Sequence, residues 1–211
     1  MNNRITPDDL VLFIGDSVTD TGRDRSDPRA LGDGYVSRAA AALAKNGVTR
    51  VLNRGISGNR VVDLRARWAE DCIDLRPTVL SILVGINDTW RRYDSDDPTS
   101  TEAFETVYRG ILTQVRDRLD TRLVLMEPFL IPVREEQESW REDLDPKIDV
   151  VHRLADEFGA TLVRTDELLG RAASNTPPAE LADDGVHPTP HGHSLIASAW
   201  LATVDEVVSP V

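Results

Sequence analysis

Short apolar runs alternate with stretches of helical periodicity from one end of this chain to the other, and that alternation restricts the architecture more than any other feature. Leu10–Ile14, Arg50–Asn53, Thr78–Val84, Leu123–Met126 and Ala160–Val163 read as strands. Between and after them, apolar side chains recur at helical spacing. Val36, Ala39, Ala40 and Leu43 mark a first helix that Asn46-Gly47 stops; Val61, Leu64, Trp68, Cys72 and Leu75 line one face of a second that Pro77 ends. Phe104 to Leu119 gives a third, residues around Ile148 to Phe158 a fourth, and Ile196 to Val207 the last. Strand and helix in strict turn imply right-handed crossovers and a parallel sheet covered on both faces. The Val79–Val84 run is apolar with little alternation, as expected for a central strand of such a sheet. With no repeat and no low-complexity segment, the 211 residues fit one α/β domain, 1–211.

An open parallel sheet binds ligands outside the carboxyl ends of its strands. Three segments with chemically useful residues follow predicted strand ends: Gly15-Asp16-Ser17, the loop containing Gly58, and Gly85-Ile86-Asn87. They are remote in sequence, and the topology brings them to one edge. Asp94–Ser100 and Phe129–Asp145 are expected as polar loops walling that edge.

Ser17 stands on a Gly-flanked turn straight off the first strand, a placement that exposes a hydroxyl and gives it its own backbone N–H. Alone, a Gly-Asp-Ser would be read as a helix cap. The pattern is not Gly-x-Ser-x-Gly, so the usual nucleophile elbow is absent. A hydroxyl attacks only if a base takes its proton, and His187 supplies one, with Asp184 three residues before it in a Gly- and Pro-containing turn. Asp183 adjoins Asp184, so spacing alone leaves the choice of carboxylate open by one position. Gly58 and Asn87 add a backbone N–H and a side-chain amide. Donors of this kind, aimed at a developing oxyanion, are worth about 2–4 kcal/mol each. Read singly, Gly58 is a turn glycine and Asn87 a helix cap.

Taken in order, the four segments resemble the SGNH, or GDSL-type, hydrolase family, over nearly the whole chain. The resemblance implies a flavodoxin-like three-layer sandwich around a five-stranded parallel sheet. It implies Ser17 as nucleophile and first oxyanion donor, Gly58 and Asn87 as the other donors, and Asp184 with His187 as the remainder of a triad. Gly15–Arg23, Leu31–Val36, Asp63–Trp68 and Gly85–Arg91 are similar to the intracellular bacterial acetylxylan esterases of this family. An acetylated xylo-oligosaccharide is therefore the expected substrate, with a lysophospholipase- or thioesterase-like activity as the alternative. Those relatives often carry an aromatic residue where this chain has Asp183, which bears on sugar stacking and on oligomerisation.

Asp16, Trp90 and Arg91 are candidate substrate contacts, although Arg91 and Arg92 also fit a solvated surface pair. Trp68 and Cys72 belong to a core face and His152 to a structural one. A rival chemistry would use His187, His191 and His193 with Asp183 or Asp184 as a zinc site. It leaves Ser17 without a base, so no metal and no cofactor are expected. A silent sugar-binding module is a third reading; it has no need of a nucleophile, a base and oxyanion donors.

The 36 acidic against 24 basic residues give a net charge of −12, which repels phosphate backbones and anionic lipid. Neither nucleic acid nor membrane is an expected partner, and homo-oligomerisation is left open. No leader or membrane span is visible, and the single Cys72 excludes an internal disulfide, so the expected location is cytoplasmic.

Overall fold

The computed structural model describes residues 5–206; Val207, assigned above to the last helix, lies outside them. Five parallel strands, β1 (Val11–Gly15), β2 (Val51–Gly55), β3 (Val79–Leu83), β4 (Arg122–Met126) and β5 (Thr161–Val163), form one sheet in the order β2-β1-β3-β4-β5. This is the flavodoxin-like order, and the expected α/β sandwich is found. The register runs Val11 to Val51 on one side and Val11 to Val79 on the other, so β1 and β3 lie side by side at the point where the winding reverses. Both are buried along their whole length, whereas edge strand β2 alternates buried and half-buried positions.

The helices are α1 (Ser17–Asp20), α2 (Tyr35–Ala44), α3 (Val61–Ala66), α4 (Ile86–Asp94), α5 (Thr101–Arg118), α6 (Arg141–Phe158), α7 (Thr165–Ala173), α8 (Pro178–Leu181) and α9 (Pro190–Glu206). Alternate side chains of the strands feed two cores. Phe13 packs with Tyr35, Val36 and Trp200 on one face; Leu12 and Ile14 pack with Trp68, Cys72 and Tyr108 on the other. Each large side chain so buried contributes about 1.5–3 kcal/mol. Trp68 and Cys72 are thus core residues, as expected.

Three expectations need correction. The second helix is not continuous: α3 stops at Ala66 and a π-helical turn follows over Ala69–Ile73. Arg67 sits at the break, its guanidinium donating to Gly15 O (3.1 Å), Arg54 O (2.8 Å) and Asn59 Oδ1 (2.8 Å), so tertiary bonds take precedence over helical continuity. The fourth helix starts at Arg141, with Pro146 inside it. A proline there removes a helical hydrogen bond, and burial of Leu144 and Ile148 with the pairing of Lys147 to Asp143 holds the turn regardless. Lastly, Phe129–Asp145 is no polar loop, since Phe129, Leu130, Ile131 and Trp140 are buried.

Candidate active site

Ser17 opens α1 immediately after β1, and Asp16 caps that turn by accepting from Val18 N at 3.0 Å. Ser17 Oγ lies 2.9 Å from His187 Nε2, and His187 Nδ1 lies 2.7 Å from Asp184 Oδ2. The other Asp184 oxygen accepts from the backbone N–H groups of Val186 (2.9 Å) and His187 (2.8 Å). Burial works against the Asp184 carboxylate, but the bonds from His187 and Val186 prevail and hold its pKa below the usual value. Its negative charge orients the ring and stabilises a positive charge on it. Asp183 points its backbone N–H at His187 O and is exposed. Of the two adjacent carboxylates, Asp184 is the one in contact with the ring.

Gly58 lies in the loop after β2 with φ +83°, and Asn87 in the first turn of α4 after β3. Asn87 is 2% exposed and spends one amide hydrogen on Asn59 O at 3.1 Å, keeping the second. The N–H groups of Ser17 and Gly58 have no hydrogen-bond partner among the described residues. These three N–H groups follow the carboxyl ends of the adjacent strands β1, β2 and β3, on the sheet edge where Ser17 Oγ meets His187. That set is what acyl transfer needs.

Trp90 contacts the same region, its ring centroid 5.8 Å from that of His187 and 5.7 Å from that of Trp140. Arg91 stacks on Trp90 with its guanidinium carbon 5.7 Å from the ring centre and pairs with Asp94. Asp16 stands apart from these two: it is 1% exposed and engaged as a helix cap. Burial pushes its carboxyl up to about 7 against the Val18 hydrogen bond, and the neighbouring Asp88 carboxylate adds to the rise. Arg92 reaches Glu142 (3.1 Å) and Asp143 (3.2 Å), tying α4 to α6.

The three C-terminal histidines do not converge. His193 is buried against Tyr35, whose backbone N–H it accepts at 3.2 Å, while His187 faces Ser17 and His191 is exposed. Among the described residues no group of three or more His, Cys, Asp or Glu side chains is placed to hold a metal ion. His152 pairs with Glu127 at 2.6 Å, and Glu127 also accepts from Asp166 N at 3.0 Å, a link between α6 and the start of α7.

Sequence reasoning missed the groups behind the site. Gln137, fully buried, donates to Asp184 O at 2.6 Å and accepts from Val133 N at 2.9 Å, which fixes the triad turn to the chain after β4. Asp88 accepts from Val61 N at 3.1 Å and anchors the start of α3 just beyond the Gly58 loop. The Gln137–Asp184 and Asp88–Val61 pairs join residues 47 and 27 apart and leave no local signature. Only Asp88 had a hint, in its place beside Asn87.

Comparison with known proteins agrees with this geometry. A model described as the GDSL-like lipase/acylhydrolase family matches residues 13–195. A curated acetylxylan esterase of Geobacillus stearothermophilus is 37% identical over 95% of this chain and 96% of its own length. The crystal structure of Axe2, an acetylxylan esterase from that organism, aligns with a TM-score of 0.87 at 37% identity, covering 95% of this chain and 96% of the other. A variant of Axe2 with a serine replaced by alanine, described as a catalytic mutant, aligns with a TM-score of 0.88 at 36% identity over the same shares.

Proposed function

This chain belongs to the GDSL-like lipase/acylhydrolase family, and from that premise we propose that it is a serine carboxylic ester hydrolase removing acetyl groups from acetylated xylo-oligosaccharides. One observation carries the reading: the hydrogen-bond chain from Asp184 through His187 to Ser17, at 2.7 and 2.9 Å, beside three available donors. In the first half-reaction His187 Nε2 takes the Ser17 proton as Oγ attacks the acetyl carbonyl. The tetrahedral oxyanion is held by Ser17 N–H, Gly58 N–H and the Asn87 amide. His187 then passes the proton to the departing sugar oxygen, leaving an acetyl-enzyme on Ser17. In the second half-reaction His187 activates water, acetate departs, and Ser17 recovers its proton.

The substrate class rests on the likeness to acetylxylan esterases and on the Trp90 ring beside His187, a surface suited to a pyranose face. It does not favour a lysophospholipase- or thioesterase-like activity. No described helix is long and apolar enough to cross a membrane; the place of reaction we propose is the cytoplasm. A serine-directed fluorophosphonate tests the chemistry: it should label the wild type, and Ser17→Ala should lose both labelling and turnover, with EDTA without effect. Acetylated xylo-oligosaccharides should be cleaved much faster than octanoyl esters. Activity lost in EDTA and restored by zinc would overturn the mechanism, and a preference for long acyl chains would overturn the substrate.

A further inference from the structure

The Gly58 donor has to be held at a fixed distance from Ser17, and β2 alone does not fix the loop that carries it. Gly58 has a left-handed backbone, and nothing lies within 4 Å of the place its Cβ would occupy, so no neighbour holds it from that side. The restraint comes from its neighbours. On one side Asn87 grips Asn59 O at 3.1 Å. On the other, Asp20 Oδ2 accepts from Ser57 N at 3.0 Å and from Ser57 Oγ at 2.8 Å.

Asp20 is the last residue of the one-turn helix that Ser17 begins, and it is 5% exposed. Its carboxylate is itself held: Oδ1 receives Arg23 Nε at 3.2 Å, and Arg25 straddles both oxygens. Arg23 also donates to Gly55 O at 2.5 Å, at the end of β2. Burial opposes the charge, yet the donors from Arg25 and Ser57 keep the Asp20 pKa below the usual value, so the acceptor is a full carboxylate at neutral pH. Charge-assisted bonds of this type are about twice as strong as neutral ones.

The geometry points to Asp20 as a positioning residue for the oxyanion hole: it holds Ser57, the residue before Gly58, by backbone N–H and side chain against the helix that carries the nucleophile. This rests on the reading of Ser17 given above. Asp20 touches no reacting atom. Its effect is felt where the Gly58 N–H is needed, in the transition state, and is small in the ground state.

Asp20→Ala should lower kcat for p-nitrophenyl acetate by roughly 10- to 100-fold, part of the loss that follows removal of a whole donor, with KM within about twofold. Fluorophosphonate labelling of Ser17 should slow by the same factor, and the acid limb of kcat/KM should stay in place because Asp184 and His187 are untouched. Asp20→Asn keeps an acceptor for Ser57 N but loses the charge facing Arg23 and Arg25, so it should fall between the two. If Asp20→Ala does not fold, Ser57→Ala, which removes one of the two bonds, should show the same split with a kcat loss of about twofold to tenfold. Wild-type kcat in a folded variant, a loss confined to KM, a shifted acid limb, or a loss no larger than the fall in folded fraction by near-UV circular dichroism would each overturn the inference. Absence of labelling in the wild type would instead remove the nucleophile reading, and the inference with it.

Discussion

Asn87 donates its side-chain amide to the main-chain oxygen of Asn59 at 3.1 Å, so the turn after β3 takes hold of the loop after β2 one residue beyond Gly58. One amide hydrogen thus sets the loop, and the other is the one proposed to meet the oxyanion. Asn87→Ala removes both, and kcat on an acetyl ester should fall about 10²- to 10³-fold with little change in KM. Asn87→Asp presents oxygens where a donor is needed and should recover nothing. A steady-state measurement in which Asn87→Asp keeps more than a tenth of the wild-type kcat would show that the amide is not a donor.

Gly58 and Gly159 form a matched pair. Both have positive φ, +83° and +62°, and both have open space where a Cβ would stand. Alanine at either position costs about 1–2 kcal/mol through the left-handed backbone alone. Gly159 caps the carboxyl end of α6, outside the site. The two variants should therefore melt alike, while only Gly58→Ala loses turnover. Both variants keep their backbone N–H, so a loss at Gly58 alone would report displacement of that donor by the strained loop. Equal activities would show that the loop holds the N–H in place with a Cβ present.

Much of this was legible because both the sheet and the chemistry leave local marks. The Val79–Val84 run announces a central strand, and Ser17, Gly58 and Asn87 each sit just past a strand end, where the topology makes remote segments neighbours. Asp184 and His187 share one turn, so their spacing was readable, while the preference for Asp184 over Asp183 came from the family resemblance and not from the spacing. That choice depends on the two backbone N–H groups that enclose Asp184, a matter of turn geometry. The bonds of Asp20 to Ser57 and of Gln137 to Asp184 were invisible for a different reason: they are made only once β1, β2 and the chain after β4 are in place. The start of α6 was hidden by Pro146, whose local preference is outweighed by the burial of Leu144 and the anchoring of Arg141 to Asp166 at 2.8 Å.

Asp184 and Asp183 differ in what they touch, and pH should separate them. His187 has to be neutral to take the Ser17 proton, so kcat/KM should fall on the acid side as the ring protonates. The Asp184 pKa lies below the ordinary carboxylate value, so its own ionisation does not limit activity in that range. Asp184→Asn removes the charge and the acceptor from His187 Nδ1 and should lower kcat by orders of magnitude, toward the ~10⁴-fold known for the equivalent change in serine proteases. The exposed Asp183 lacks that contact, and Asp183→Asn should cost far less. A pH–rate profile in which Asp183→Asn is the more damaged variant would move the triad by one residue. If neither matters, His187 and Ser17 act as a dyad.

His193 should make the fold sensitive to acid without taking part in the chemistry. Its ring is 2% exposed, stacked on Tyr35 with centroids 6.5 Å apart, and Nδ1 accepts from Tyr35 N. Burial lowers its pKa from 6.5 to about 4, with the charges of Arg38 and His187 acting in the same direction. The unfolded chain therefore binds a proton that the folded one refuses between these two values. Stability is fully present above pH 6.5, declines as pH falls toward 4, and levels off below. The contribution lost is on the order of 3 kcal/mol. His193→Gln keeps an acceptor for Tyr35 N and cannot titrate. It should match or fall below the wild type in urea unfolding at pH 7.5 and gain on it by about that amount at pH 4. Carboxylates affect both proteins alike, so the difference between them isolates the histidine. If that difference is the same at the two pH values, His193 is as free to protonate in the folded protein as in the unfolded chain.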